Sequence, residues 1–183
     1  MGDSPNSSKQ KISWPGLLIA TGLSIAGGAF LWTMLTGQKS VPGISPGAIY
    51  ATRLPDGDGN SLSLGQWQGK ILVVNFWATW CEPCKQEIPQ LVAAQNKYGK
   101  AGLQVIGVAV DEKKRVAQFL QSVSVNYPIL LDESGGIDLS KRFGNRAGIL
   151  PFTVVIDRKG QITTVITGAL TVTQIDVLLP KLI

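Results

Sequence analysis

The chain has two cysteines, Cys81 and Cys84, and no histidine. Both cysteines lie in FWATWCEPCKQEIPQL (Phe76–Leu91), as C-x-x-C. Three chemistries use such a pair: metal ligation, a structural staple, or a working dithiol. Zinc takes four ligands, usually Cys or His, and this chain offers half of them. Two thiolates could still hold Cu(I) linearly, so a copper-delivery or thiol-binding module stays open as an alternative, against which the two methionines speak. A bridge closing so short a loop removes little unfolded-state entropy, which makes a staple a poor explanation. Without histidine there is no Cys–His nucleophile and no histidine-ligated haem. A peroxidatic cysteine usually has Thr three positions earlier, where this chain has Ala78. The pattern that remains is a redox dithiol.

The flanking sequence supplies what such a dithiol needs. KILVVNFWA (Lys70–Ala78) is a continuous apolar run of strand length, and Cys84–Lys100 reads as a helix. Cys81 then stands at the helix start, where unpaired N–H groups and the helix dipole favour the reactive thiolate. Cys84 follows one turn later on the same side, within reach for a second attack. Pro83 falls in the first turn, where its missing N–H costs nothing, and Pro89 interrupts the ladder farther on.

Farther out, the segments alternate. AIYATRL and NSLSL flank the turn signal Pro55–Gly59 and read as a hairpin. Leu103–Val110 reads as a second buried strand, and Lys113–Val123 has helical spacing at Val116, Phe119, Leu120 and Val123. Tyr127–Asp132 is short and extended, and IDLSKRF is a short helix. Phe152–Asp157 and Gln161–Gly168 form a hairpin, and VTQIDVLLPKLI closes the chain as a helix. The acids and bases of Asp111–Arg115 read as a solvated helix start. Strands alternating with helices, ending in a hairpin, give an α/β layer with a mixed sheet.

Composition sets the compartment. The chain has 183 residues, 44% hydrophobic and 16% charged, with a net charge of +5. No basic cluster with interleaved aromatics occurs, so nucleic acid is not an expected partner. Trp14–Leu35 is an uncharged apolar run of 22 residues, long enough as a helix to cross a bilayer. Lys9 and Lys11 precede it, which orients residues 1–13 toward the cytoplasm. The expected organisation is a cytoplasmic polar tail (1–13), a transmembrane anchor (14–36), a Gly/Pro/Ser linker (37–47) and a folded domain (48–183). A cleaved signal peptide with Ala26 and Gly28 before the cut is the alternative to the anchor. Either way the domain is extracytoplasmic.

NFWATWCEPCKQEIP resembles the active-site segment of the thioredoxin superfamily, most closely the membrane-anchored TlpA/ResA-type thiol–disulfide oxidoreductases. ILPFTVVID resembles the superfamily's cis-proline segment, with Leu150 and Pro151 as its core. The resemblance implies a thioredoxin fold, a mixed central sheet flanked by helices, with an N-terminal β-hairpin and a central insertion. It also implies residence in a bacterial inner membrane, with the C-terminal domain outside. The family commonly places Thr or Ser after this proline, and here Phe152 follows; its bulk is expected beside the active site.

The resemblance gives each residue a role. Cys81 attacks a substrate disulfide, and Cys84 resolves the mixed disulfide and leaves Cys81–Cys84 oxidised. Thioredoxins proper carry a buried Asp on the strand before the motif; the matching residue is Asn75, which cannot titrate. Glu87, three residues after Cys84 and on its helix face, is the expected proton acceptor. Trp80, Glu82 and Pro83 shape the substrate platform. The charge of Glu82 disfavours the thiolate, which favours a reducing couple. The implied clients are proteins with cysteine pairs, such as apocytochrome c or copper-site cysteines, and a membrane thiol carrier recharges the dithiol. No cofactor or metal is called for. A disulfide oxidase or isomerase is the runner-up.

Overall fold

The computed structural model describes residues 44–183. The expected tail, anchor and most of the linker lie outside the described residues. Among the described residues no helix is long and apolar enough to cross a membrane.

The elements run α1 (Pro46–Ala51), β1 (Arg53–Pro55), β2 (Ser61–Ser63), β3 (Ile71–Trp77), α2 (Glu82–Tyr98), β4 (Leu103–Ala109), α3 (Lys113–Leu120), β5 (Ile129–Leu131), α4 (Gly136–Arg142), β6 (Phe152–Ile156), β7 (Ile162–Thr167) and α5 (Val172–Leu178). Five strands form the sheet in the order β5-β4-β3-β6-β7. β3, β4 and β5 run parallel; β6 lies antiparallel to β3, and β7 antiparallel to β6. This is the mixed sheet of a thioredoxin-like fold. α3 and β5 are inserted between β4 and α4. β1 and β2 pair as a separate two-stranded ladder.

β3 is buried along its whole length, and its alternation divides the core. Leu72, Val74 and Phe76 enter one layer with Ile106, Val108, Phe152 and Val154, covered by Leu139 of α4, Phe143 and the N-terminal Ile49, Leu54 and Leu64. Ile71, Val73 and Trp77 face the other layer, covered by Ile88, Leu91 and Ala94 of α2, Val116 of α3 and Ile175 of α5. Asn75 has the same parity and faces this second layer. Its register partner on β4 is Gly107. A Cβ there would come within 2.6 Å of Ile129 Cδ1 and 3.1 Å of Trp77 Nε1, so the strand takes glycine where those side chains close over it.

Several elements differ from the sequence reading. AIYA is helical rather than extended: Ser45 accepts from Ala48 N and Pro46 occupies the first turn, so the cap prevails over the β-branched content. That helix starts inside the stretch read as linker, and Ile44 already packs on the core. α2 begins at Glu82, and its end tightens into a 3-10 turn at Gly99–Ala101. α3 stops at Leu120. The closing helix ends at Leu178 and continues as a 3-10 turn at Leu179–Lys181, where Pro180 cannot extend the α ladder.

Candidate active site

Cys81 is the N-cap of α2 and Cys84 lies in its first turn. The two are joined in a disulfide, with Cα atoms 5.3 Å apart. Cys81 keeps 6% of its surface exposed and Cys84 none. The geometry therefore ranks the two sulfurs: only the first can meet another molecule. The helix start that carries them is fixed by backbone bonds from Cys81 N to Ala78 O and from Lys85 N to Cys81 O.

Glu87 is 1% exposed. Its Oε1 accepts from Asn75 Nδ2 at 2.6 Å, and its Oε2 accepts from Leu170 N at 2.6 Å. Burial pushes its carboxyl up to about 7, while the Leu170 and Asn75 donors pull it down. Asn75 Nδ2 also donates to Thr153 Oγ1 at 3.0 Å. Asn75 and Thr153 are register partners on β3 and β6, so the sheet itself sets this polar trio beneath α2. Tyr127 closes it from the β5 side; burial, then the charge of Glu87, raises its phenol.

The Leu150–Pro151 peptide is cis. Leu150 packs on the cluster that contains Cys81, Cys84, Trp77 and Ala78, so the proline segment and the dithiol meet at one end of the sheet. The preceding loop is held by Asn145, whose amide exchanges hydrogen bonds with the N–H and C=O of Ile149. The Ile149 side chain is left 52% exposed, and Trp80, on the cysteine side, 62%.

Two expectations change. Phe152 adds no bulk at the site: it is fully buried in the opposite layer, 6.1 Å from the Phe76 ring centroid, because residues alternate faces along β6. Thr153, one residue on, is the side chain that reaches the site face. Glu82 is exposed and paired with Lys85, whose ammonium offsets its charge at the helix start. Pro83 takes the second helical position.

The sequence reading missed Asp111 and Thr153. Asp111 is buried, not part of a solvated helix start. Its Oδ2 accepts from the Thr79 N–H and hydroxyl, and its Oδ1 from Glu112 N. One carboxylate thus ties the loop before Cys81 to the end of β4. The only signal for it was an acid directly after a buried strand. A cleft of about 610 Å³ between α3 and the β1–β2 turn, lined by Val116, Leu120, Tyr127 and Gly57, contains neither cysteine.

The comparisons agree with this geometry. A family model described as Redoxin matches residues 37–179. The chain belongs to the redoxin family. It is similar to the thiol-disulfide oxidoreductase ResA of Halalkalibacterium halodurans, 30% identical over 164 residues, 89% of this chain and 90% of that one. It also resembles two solved structures from Chlorobium tepidum. One is a thiol:disulfide interchange protein of the thioredoxin family, with TM-score 0.62, 28% identity, and coverage of 72% of this chain and 92% of that one. The other is described as a putative thiol:disulfide interchange protein DsbE, with TM-score 0.60, 26% identity, and coverage of 67% and 84%. This redoxin is a TlpA/ResA-type member of the thioredoxin superfamily and a thiol–disulfide oxidoreductase.

Proposed function

We propose that this redoxin is a membrane-anchored, extracytoplasmic reductase of protein disulfides. Cys81 is its nucleophile, Cys84 its resolving thiol and Glu87 its proton acceptor. The observation that carries the reading is the buried Glu87 carboxyl, one helical turn behind the dithiol. A group that titrates near neutrality can take a proton from a thiol and give it back. Attack by Cys81 opens the substrate disulfide and forms a mixed disulfide. Cys84 gives its proton to Glu87, attacks the Cys81 sulfur, and releases the substrate with two electrons added.

The reducing direction follows from the same carboxyl. Above its midpoint Glu87 is an anion on the face that carries Cys84, and it disfavours a second anion there. A dithiol whose thiolates are poorly stabilised forms a stable disulfide and a reducing couple. Trp80, Pro83, Leu150 and Pro151 form the platform, with Glu82 at its rim. Exposed apolar side chains on both sides of Cys81 suit a polypeptide substrate. Clients are cysteine pairs that must stay reduced for cofactor insertion, such as those of an apocytochrome c. The apolar run at 14–36 supplies the anchor, and a membrane thiol carrier supplies electrons.

The test is made in cells with the full chain. Rapid acid quench and alkylation should find Cys81–Cys84 mainly reduced at steady state, and a Cys84→Ser variant should trap clients through Cys81. A resting oxidised pair that traps reduced, unfolded clients would mark a disulfide donor instead.

A further inference from the structure

We propose that Asn75, backed by Thr153, is a two-position hydrogen-bond switch whose side-chain amide turns over each time Glu87 gains or loses a proton. The inference rests on the reading of Glu87 as proton acceptor and adds a positioning device to it.

The hydrogen-bond inventory of the trio leaves few choices. In the structure the Asn75 amide spends its NH2 on Glu87 Oε1 and Thr153 Oγ1. Its Oδ1 is buried without a partner. Two donors, Asn75 Nδ2 and Leu170 N, meet the two oxygens of Glu87, which suits a carboxylate, an acceptor on both sides.

Protonation breaks this match. The Leu170 N–H can only donate, so Oε2 must stay an acceptor, and the acid proton goes to Oε1. There it faces the Asn75 NH2, donor against donor. Turning the amide over resolves the conflict. Its nitrogen and oxygen are nearly equal in size, so the turn needs no new space. Oδ1 then accepts from Glu87 Oε1–H. The Thr153 hydroxyl, which can act either way, changes from acceptor to donor. Each orientation leaves one end of the amide unmatched: the oxygen when Glu87 is ionised, the NH2 when it is protonated. Burying an unmatched polar group costs free energy in either case, so neither orientation is locked.

The surroundings make Asn75 the partner that must respond. From its own helix Glu87 is neighboured by the Cys81–Cys84 pair, from the β5 side by the Tyr127 phenol, and from the loop before α5 by a backbone amide. The phenol is raised well above neutrality and keeps its proton, and the backbone amide cannot exchange roles. An Asp at position 75 would place a second carboxylate against Glu87, and an apolar residue would leave Oε1 unpaired in both states.

In the reaction, Cys84 S–H passes its proton to Glu87 as the Cys84 sulfur bonds to the Cys81 sulfur and the Cys81–substrate bond breaks. The electron pair leaves on the substrate sulfur. The turned amide then holds the proton on Oε1 until Glu87 releases it; the structure, with the pair oxidised and the amide NH2 on Oε1, shows the arrangement after that release.

The test uses the full chain in detergent micelles, with 15N in asparagine and 13C in glutamate side chains. Nuclear magnetic resonance follows the Glu87 carboxyl and the cross-relaxation between Asn75 NH2 protons and the Thr153 methyl from about pH 5 to about pH 9, which brackets a carboxyl titrating near neutrality. The switch predicts that this cross-relaxation is strong above the Glu87 midpoint and several-fold weaker below it, with a shared midpoint. Thr153→Ser should keep the wild-type pH profile of substrate reduction, and Thr153→Val should displace it. If Glu87 titrates while the amide contacts stay constant, or if the Val and Ser profiles coincide, the switch is wrong and the proton-acceptor reading survives. If Glu87 does not titrate in this range, both fall.

Discussion

The two layers of the central sheet are built from the same strands and do different things. Strand β3 sends Leu72, Val74 and Phe76 into one layer and Ile71, Val73, Asn75 and Trp77 toward the other. The first is sealed by apolar side chains, with the Phe76, Phe143 and Phe152 rings at its centre. The second holds the dithiol, a carboxyl, an amide and a hydroxyl, all buried. Burying such groups is costly unless they are paired, so their concentration in one layer marks where chemistry is bought with stability. One layer holds the fold; the other carries strained protonation equilibria.

Substitutions can break that contrast in order of expected size. Cys81→Ser should abolish substrate reduction in a turnover assay while the domain stays folded, because Cys81 is the member of the pair that keeps any exposed surface. Phe76→Ala, in the apolar layer, should do the reverse. It should cost about 3–5 kcal/mol by urea denaturation, yet leave the alkylation rate of Cys81 in the folded protein unchanged. A changed rate would mean that the layers are coupled.

Glu87→Gln tests the polar layer itself. Resolution of the mixed disulfide should slow about 100-fold in stopped flow. The sign of its stability effect follows from linkage. The folded carboxyl titrates at about 7, above the ordinary 4.5, so between these values the folded state holds a proton that the unfolded state has released. Stability therefore falls as pH rises through that window. The Gln variant should be more stable than wild type at about pH 8, by on the order of 1–3 kcal/mol, and equal near about pH 4.

Two smaller changes sharpen the boundary. Asp111→Ala strands the Thr79 and Glu112 donors and should cost about 1–3 kcal/mol in denaturation, with Asp111→Asn recovering part of it. Glu82→Gln removes only an exposed ion pair with Lys85 and should change stability by less than about 0.5 kcal/mol.

How much of this was legible in the sequence differs by layer. The buried strands and the mixed character of the sheet follow from continuous apolar runs, their alternation with helices and the closing hairpin, whereas the order of the strands came only with the structure. Cys81, Cys84 and Glu87 are legible because they share one helix at fixed spacing. Thr153 and Asp111 are not, because they meet the site only through strand register and a loop contact with Thr79, neither of which leaves a local pattern. Phe152 misled for the same reason. Its neighbour Pro151 lies at the site, but one step along a strand moves a side chain to the opposite face. α1 was hidden by its Ile and Tyr, which favour strands, while the Ser45 cap and Pro46 decided the matter.

The measurement that bears most directly on the central claim is the Cys81–Cys84 reduction potential of the full chain in detergent, equilibrated against glutathione and dithiothreitol buffers. A reductase with a buried carboxyl behind its resolving thiol should lie toward the reducing end, near the thioredoxin value of about −270 mV. A value above about −180 mV, the level of disulfide isomerases, would contradict it and make the protein a donor of disulfides.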